Sequence, residues 1–185
     1  MFEAGYQFRF EGRQGGTDAD TVAVYRYSFR NDGRLRYIVE AHEFQDKVFV
    51  LKFYWKHHHL SSKKFSLLIG GQYAPKIIRT CAEICLDLLR RFPSASFGMI
   101  ASPIEGEEKY FNKRFRIYQS VIKDWFPGTR FHHIVSEAQG GYLLINKSQP
   151  DSEQKITRTV EMFARNYQEL IDEENDAASQ RTAIG

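Results

Sequence analysis

Apolar residues recur at helical spacing in three stretches of the chain. The clearest stretch covers residues 74–92, with apolar side chains at Ile77, Ile78, Cys81, Ile84, Cys85, Leu88, Leu89 and Phe92. Steps of one, three and four residues place these side chains on one face of an α-helix. Pro93 ends that helix. Similar stripes predict a second helix over residues 113–126 and a third from Asp151 or Ser152 to about Glu174.

Apolar and polar residues alternate in the first third of the chain, which is typical of β-strands. The alternation predicts strands over residues 6–10, 21–30, 34–44 and 48–56, with a loop over residues 11–20. Asn31-Asp32-Gly33 predicts a hairpin turn, in which Gly33 takes the positive φ that such a turn needs. Short apolar runs predict further strands over residues 65–69, 96–101, 131–136 and 142–146.

The order of these elements predicts one α+β domain over residues 1–175. An N-terminal β-meander begins a mostly antiparallel sheet, and three main helices pack on the faces of that sheet. The small and polar residues 176–185 are expected to form a flexible tail.

Composition agrees with a folded domain outside the membrane. Apolar residues make up 42% of the chain and aromatic residues 15%, which excludes wholesale disorder. No apolar run approaches the roughly 18 residues that a membrane-spanning helix needs, and the N-terminus lacks the pattern of a secretion signal. Cys81 and Cys85 lie on the apolar stripe and are interpreted as reduced core residues, with a metal-binding pair as the alternative. We therefore expect a cytoplasmic protein.

Basic residues concentrate in the first half of the chain. The net charge is +3, and residues 1–95 contain 15 Lys and Arg against 10 Asp and Glu. The basic residues on or beside the meander that we expect to contact an acidic partner are Arg26, Arg34, Arg36, Lys52, Lys56, Lys63 and Lys64. Such a partner is a nucleic acid, whose phosphates and bases suit interleaved basic and aromatic residues, or an acidic protein.

The leading functional hypothesis is therefore a non-enzymatic binding or regulatory module that needs no cofactor. Two alternatives from the same residues are a solvated outer sheet face, whose charges protect against edge pairing, and a protein-interaction subunit with an apolar contact surface. Common nucleophile and phosphate-loop signatures, such as G-x-S-x-G and the Walker loop, are missing from the sequence.

Two clusters of titratable residues admit a metal, but each has a simpler interpretation. His57, His58 and His59 end the strand over residues 48–56, where adjacent side chains point to alternating sides. At most two of them could share one ion easily, so a solvated strand end is the preferred interpretation. A second cluster contains Glu105, Glu107 and Glu108. It is interpreted as a solvated loop, because no motif places a partner acid or a nucleophile beside it. We predict no metal site.

From Val48 onward the predicted order is strand, helix, strand, helix, strand, strand. Within it, the stretch Asn112-Lys-Arg-Phe-Arg-Ile-Tyr118 begins the second predicted helix. This order and this stretch resemble the core of the GNAT acyltransferase family. The segments FNKRFRIY and GGYLLINK also resemble those of small bacterial proteins that carry no assigned activity.

The resemblance implies an alternative function, acyl-CoA-dependent N-acyl transfer with acetyl-CoA or another acyl-CoA as cofactor. It implies that Tyr118 acts as general acid toward the departing CoA thiolate. It also implies that the backbone amides of Gly70, Gly71, Gln72 and Tyr73 meet the pyrophosphate. The family places Arg/Gln-x-x-Gly-x-Gly/Ala at that loop, whereas this chain has Gly70-Gly71-Gln72-Tyr73-Ala74-Pro75.

Overall fold

A computed structural model describes residues 4–16, 18–61, 64, 74–100, 113–136 and 141–182. The strands are β1 (Phe8–Gly15), β2 (Ala23–Arg30), β3 (Arg36–Phe44), β4 (Val48–Trp55), β5 (Ser96–Ile100), β6 (Phe131–Ser136) and β7 (Gly141–Asn146). The helices of more than one turn are α1 (Ala74–Arg91), α2 (Lys113–Trp125) and α3 (Ser152–Thr182). The predicted α+β fold, with a mostly antiparallel sheet and three main helices, is confirmed.

All seven strands form one sheet in the order β1-β2-β3-β4-β5-β7-β6. The meander β1–β4 is antiparallel throughout, and β5, β7 and β6 are antiparallel to one another. The two groups meet where β4 pairs with β5 in parallel, with Val48–Leu51 opposite residues 96–99. β4 continues past this ladder to Trp55. The two groups are therefore joined by a parallel ladder of only four residue pairs.

Helices α1 and α2 cover one face of the sheet, called here the aromatic face. Its buried residues on the meander include Tyr25, Tyr27, Phe29, Tyr37 and Phe49. The apolar stripe of α1 packs on these rings, and the Tyr27 hydroxyl donates a hydrogen bond to Asp87 Oδ2 on the helix at 2.9 Å. Burying each such side chain stabilises the fold by about 1.5–3 kcal/mol.

The two cysteines lie in this layer. Cys81 and Cys85 are buried free thiols, as predicted from their place on the stripe of α1. Burial raises the pKa of Cys81 to about 12, so the thiol stays protonated and unreactive at neutral pH.

Helix α3 covers part of the opposite face of the sheet. Phe163 and Tyr167 pack there in a cluster with Val50, Leu143 and Ile145. Gly98 on β5 lies directly beneath Phe163, and a Cβ atom at Gly98 would stand 2.2 Å from the tip of that ring. The missing side chain of Gly98 therefore lets α3 approach the sheet.

Lys155 ties the first turns of α3 to the segment between α1 and β5. Its side chain is fully buried, and its ammonium group donates hydrogen bonds to the Ser94 carbonyl at 3.4 Å and to Gln149 Oε1 at 3.5 Å. Burial lowers the pKa of Lys155. A buried amine requires such acceptors, because an unpaired charge is costly to remove from water.

The structure differs from the sequence prediction at several element ends. β1 continues to Gly15, through residues expected to form a loop, because it pairs with β2 as far as Ala23. In the turn between β2 and β3, Arg34 rather than Gly33 takes the positive φ, at 61°. Helix α3 continues to Thr182, beyond the predicted end near Glu174.

Two further sequence expectations concern a short strand and membrane-spanning helices. The predicted strand over residues 65–69 lies outside the described residues. Across the described part of the chain, no helix is both long enough and apolar enough to cross a membrane.

Candidate binding groove

A row of charged side chains crosses three neighbouring strands of the meander. Arg26 on β2 lies opposite Glu40 on β3, and Glu40 lies opposite Lys52 on β4. Because side chains alternate along a strand, all three project from the face opposite the aromatic face. Opposite charges in directly facing positions stabilise a sheet, so this row joins the three strands.

Glu40 is the centre of the row and is only 6% exposed. Its Oε1 accepts hydrogen bonds from Arg26 Nη2 at 3.1 Å and from the Tyr54 hydroxyl at 3.2 Å. Its Oε2 lies 3.4 Å from His42 Nε2, and Lys64 Nζ lies 3.9 Å from Oε1. Burial raises the pKa of Glu40, but the His42 contact and the positive charges outweigh burial and hold this pKa at about 2. The carboxylate therefore stays ionised.

Lys52, at the other end of the row, lies under α3. Its ammonium group stands 5.1 Å from the centre of the Tyr167 ring, in a cation–π contact. Burial lowers the pKa of Lys52. The Tyr167 hydroxyl beside it is buried and has no hydrogen-bond partner within the described residues. Lys52 thus belongs to the contact between the sheet and α3, although the sequence placed it on an outward-facing surface.

A β-bulge on the edge strand β1 brings a second carboxylate to the same face. Phe10 lies opposite Tyr27 and Gly12 lies opposite Arg26, so Glu11 is an extra residue without a register partner. Such a bulge redirects a side chain, and Gly12 adopts the φ of 143° that the local backbone requires.

Three donors converge on one oxygen of Glu11. Its Oε1 accepts from the Ser28 hydroxyl, from Arg9 Nη2 at 2.9 Å and from Arg36 Nη2 at 3.0 Å. The hydrogen bond from Ser28 is the main reason that the pKa of Glu11 falls to about 2, and the two arginines add to it.

These side chains line an open groove of about 610 Å³. Five cationic side chains line it, namely Arg13, Arg26, Arg36, Lys56 and Lys64, together with the two carboxylates Glu11 and Glu40. The groove is therefore a positively charged site that contains two internal counter-ions.

Several basic residues selected from the sequence meet in this groove. They are Arg26, Arg36, Lys56 and Lys64. Arg34 lies in the exposed turn between β2 and β3 and is not a lining residue, while Lys63 lies outside the described residues. Sequence reasoning missed Arg13, Glu11 and Glu40. The stretch RLRYIVEAHEF contains two acids, Glu40 and Glu43, and an acid within a β-rich run is the signal that could have drawn attention to Glu40.

The three consecutive histidines have separate surroundings. The rings of His57 and His58 lie 5.0 Å and 4.8 Å from the Trp55 ring, and His59 lines the groove, where its Nδ1 contacts the Lys56 carbonyl at 3.0 Å. Among the residues that the structure describes, no group of three or more His, Cys, Asp or Glu side chains is placed to hold a metal ion.

The residues implied by the acyltransferase resemblance are placed in part. Tyr118 lies on α2 with 5% exposure, in the same apolar cluster as Val121 and Ile122 beneath the aromatic face. Residues 70–73, expected at the pyrophosphate, lie outside the described residues, as do Glu105, Glu107 and Glu108.

Comparison of the chain with known protein families, with curated proteins and with solved structures finds no match.

Proposed function

We propose that the protein is a non-enzymatic binding module whose groove takes up part of an acidic macromolecule. The observation that carries the proposal is the charge of the groove, since five cationic side chains line it against two carboxylates. Positive charge in a concave site concentrates anionic ligands and speeds their association.

Donors remain for a ligand after the internal ion pairs are counted. Lys56 is exposed and makes no ion pair with any residue that the structure describes. The Arg26 side chain is 42% exposed and lines the groove, so its guanidinium group can meet a ligand beside its ion pair with Glu40.

Reversal of one exposed groove charge tests the proposal. Lys56→Glu should weaken binding of an acidic polymer at least about fivefold, because a change of roughly 1 kcal/mol in charge interaction corresponds to that factor. Fluorescence anisotropy with labelled poly-glutamate and with labelled single-stranded DNA, each at two salt concentrations, measures the affinity. Lys123→Glu is the matched control, because Lys123 is exposed on α2 and does not line the groove.

The proposal is wrong if the wild-type protein binds neither polymer, or if both variants bind equally well. Lys56→Glu should leave the melting temperature within a few degrees of the wild-type value, because an exposed charge contributes little to stability. A large loss of stability would mean that the binding measurement reports unfolding.

A second candidate function is acyl-CoA-dependent N-acyl transfer. It is favoured by the parallel pair β4 and β5 at the middle of the sheet, where the ladder covers only Val48–Leu51 while β4 runs on to Trp55. A divergence of these two strands would admit the pantetheine arm, and Tyr118 on the neighbouring α2 would be the general acid.

Titration with acetyl-CoA separates the two candidates. A bound cofactor raises the stability of the native state once its concentration exceeds the dissociation constant, so acyl transfer predicts both heat of binding and a higher melting temperature. Tyr118→Phe should then lower the turnover number and leave acetyl-CoA binding unchanged. Absence of heat and of stabilisation at millimolar acetyl-CoA would exclude this function.

A further inference from the structure

The groove contains an anion site that the protein fills with its own carboxylate. The Ser28 hydroxyl and the guanidinium groups of Arg9 and Arg36 all donate to Glu11 Oε1, and of these donors Arg36 also lines the groove. We propose that these donors form a carboxylate seat, and that an acidic side chain of a polypeptide partner binds in the seat by displacing Glu11. This inference rests on the proposed function and names its partner class.

Two of the three donors, Ser28 and Arg36, are fixed more firmly than the acceptor, whereas Arg9 lies on the same edge strand as Glu11. Ser28 lies on β2 and Arg36 on β3, and each of these strands is hydrogen-bonded to a neighbour on both sides. Their positions are set by register, since Ser28 faces Ile38 and Arg36 faces Arg30. Glu11 instead lies on the edge strand, at the one bulged position of the β1–β2 ladder. Edge positions open at lower free-energy cost than the interior of a sheet, so Glu11 can leave while the seat keeps its shape.

The geometry of the seat suits a carboxylate. A neutral hydroxyl and guanidinium groups together satisfy one carboxylate oxygen, and hydrogen bonds to a charged acceptor are stronger than those between neutral groups. The nearby Glu40 is held ionised by its own contacts, so a ligand group of charge near −2, such as a terminal phosphate, would face additional repulsion.

Among the described residues that line the groove, no exposed Phe, Tyr or Trp ring offers a stacking surface for a single-stranded nucleic acid. Stacking of nucleic-acid bases on a protein requires exposed aromatic rings. Tyr25, Tyr27 and Tyr37 are buried on the aromatic face, beneath α1. Tyr54 lines the groove, but it is 6% exposed and its hydroxyl is bonded to Glu40. An acidic polypeptide is therefore the partner that the groove fits.

Removal of Glu11 tests the inference with small probes. Glu11→Ala empties the seat, so sodium acetate should bind this variant about tenfold or more tightly than the wild-type protein, the equivalent of one charge-assisted hydrogen bond. Chemical-shift titration of the Ser28 and Arg36 amide groups with acetate measures both affinities and locates the binding. Sodium phosphate is titrated in parallel.

Two further variants serve as controls. Glu161→Ala removes an equal charge from an exposed position on α3 outside the groove and should gain no acetate affinity. Glu11→Gln keeps a side chain of the same shape in the seat, so it should gain much less than Glu11→Ala. If the alanine variant is too unstable to titrate, Glu11→Gln provides the comparison. A tenfold gain in acetate affinity in Glu11→Gln would contradict the inference, because its side chain should still fill the seat.

Equal acetate affinity in Glu11→Ala and wild-type protein would overturn the inference, and tighter binding of phosphate than of acetate would reassign the seat to nucleic acid. The outcome is separable from that of the proposed function. If Glu11→Ala gains acetate binding but wild-type protein binds no acidic polymer, the proposed function fails and the seat remains. If wild-type protein binds poly-glutamate but Glu11→Ala gains nothing, only the seat fails.

Discussion

Glu40 is the residue on which the charges of the groove depend. It is the shared counter-ion of Arg26 and Lys64, it accepts from Tyr54, and it lies opposite Lys52 in the sheet. Removing one partner of a fully buried ion pair costs about 3–5 kcal/mol, and removing Glu40 costs less than that because the Arg26 side chain is 42% exposed and can be solvated. Glu40 therefore both stabilises the meander and positions the groove cations.

The depressed pKa of Glu40 predicts acid sensitivity. The carboxyl has a pKa of about 2 in the folded protein against an ordinary value of 4.5. A folded-state pKa that is lowered gives stability which is complete above pH 4.5 and is lost as the pH falls toward 2. Glu40→Gln should be less stable than the wild-type protein at pH 7, and the difference should shrink between pH 4.5 and pH 2. Urea unfolding of both proteins across this range measures it. A difference that is constant with pH would contradict the assigned ionisation.

Arg34 occupies a backbone conformation that favours glycine. Its φ is 61°, its amide donates to the Asn31 carbonyl at 2.8 Å, and its carbonyl accepts from Arg30 at 3.0 Å. A non-glycine residue in this region costs about 1–2 kcal/mol. Arg34→Gly should therefore raise the free energy of unfolding by about 1 kcal/mol. The gain is not larger because glycine also increases the conformational entropy of the unfolded chain.

Arg34→Ala is the control for this change, because it removes the same charge but keeps the Cβ atom. It should stay within about 0.5 kcal/mol of the wild-type stability. Chemical denaturation of the three proteins makes the comparison, and an equal gain in both variants would assign the effect to charge and not to the backbone.

The sequence predicts most of the basic residues of the groove but not its acidic residues. Four of the five basic lining residues, all except Arg13, could be predicted because residue type and local charge can be counted along a chain. The acidic partners could not, because Glu11 reaches the groove through a bulge and Glu40 meets Arg26 only through the register of β2 and β3. The position of the turn is predicted correctly, but Arg34 and not Gly33 has the positive φ. The hydrogen bonds of the loop, and not its composition, decide which residue adopts this conformation.

At the scale of elements, the contact between β5 and α3 depends on one glycine. Gly98→Ala would place a methyl group against the buried Phe163 ring, which has to shift. Overpacking of this kind costs about 1–3 kcal/mol, so the variant should unfold at lower urea concentration. Gly15→Ala, on β1, is the matched control, because nothing lies within 4 Å of the added atom. Equal stability of the two variants would show that α3 does not rest on Gly98.

The helices could be predicted because an amphipathic stripe is a local signal. The stripe of α1 gave its bounds to within a residue or two, and the alternation of β2, β3 and β4 gave three strands. β1 was predicted too short, since Glu11 to Gly15 have the composition of a turn and are held in the sheet by pairing with β2. The position of α3 over β4, β5 and β7 also could not be deduced, because it depends on which face of the finished sheet remains open.

At the scale of the whole molecule, the sheet consists of two antiparallel groups joined at a single short parallel ladder. The meander pairs residues that are close in sequence, whereas the ladder brings Val48 opposite Ser96. The groove lies on the meander side of this junction. Helix α3 spans the junction, since the apolar cluster beneath the helix includes Val50 from β4 and Leu143 from β7.

This junction has a consequence for how the chain reaches its native state. Contacts between residues far apart in sequence form late, because a long loop must first be closed at an entropic cost. The meander, with its complete groove, is expected to form before the parallel ladder joins it to β5. Weakening changes on β2 and β3 should then slow folding, whereas changes at the ladder should mainly speed unfolding. The protein would thus acquire its charged groove earlier on the folding path than its finished core.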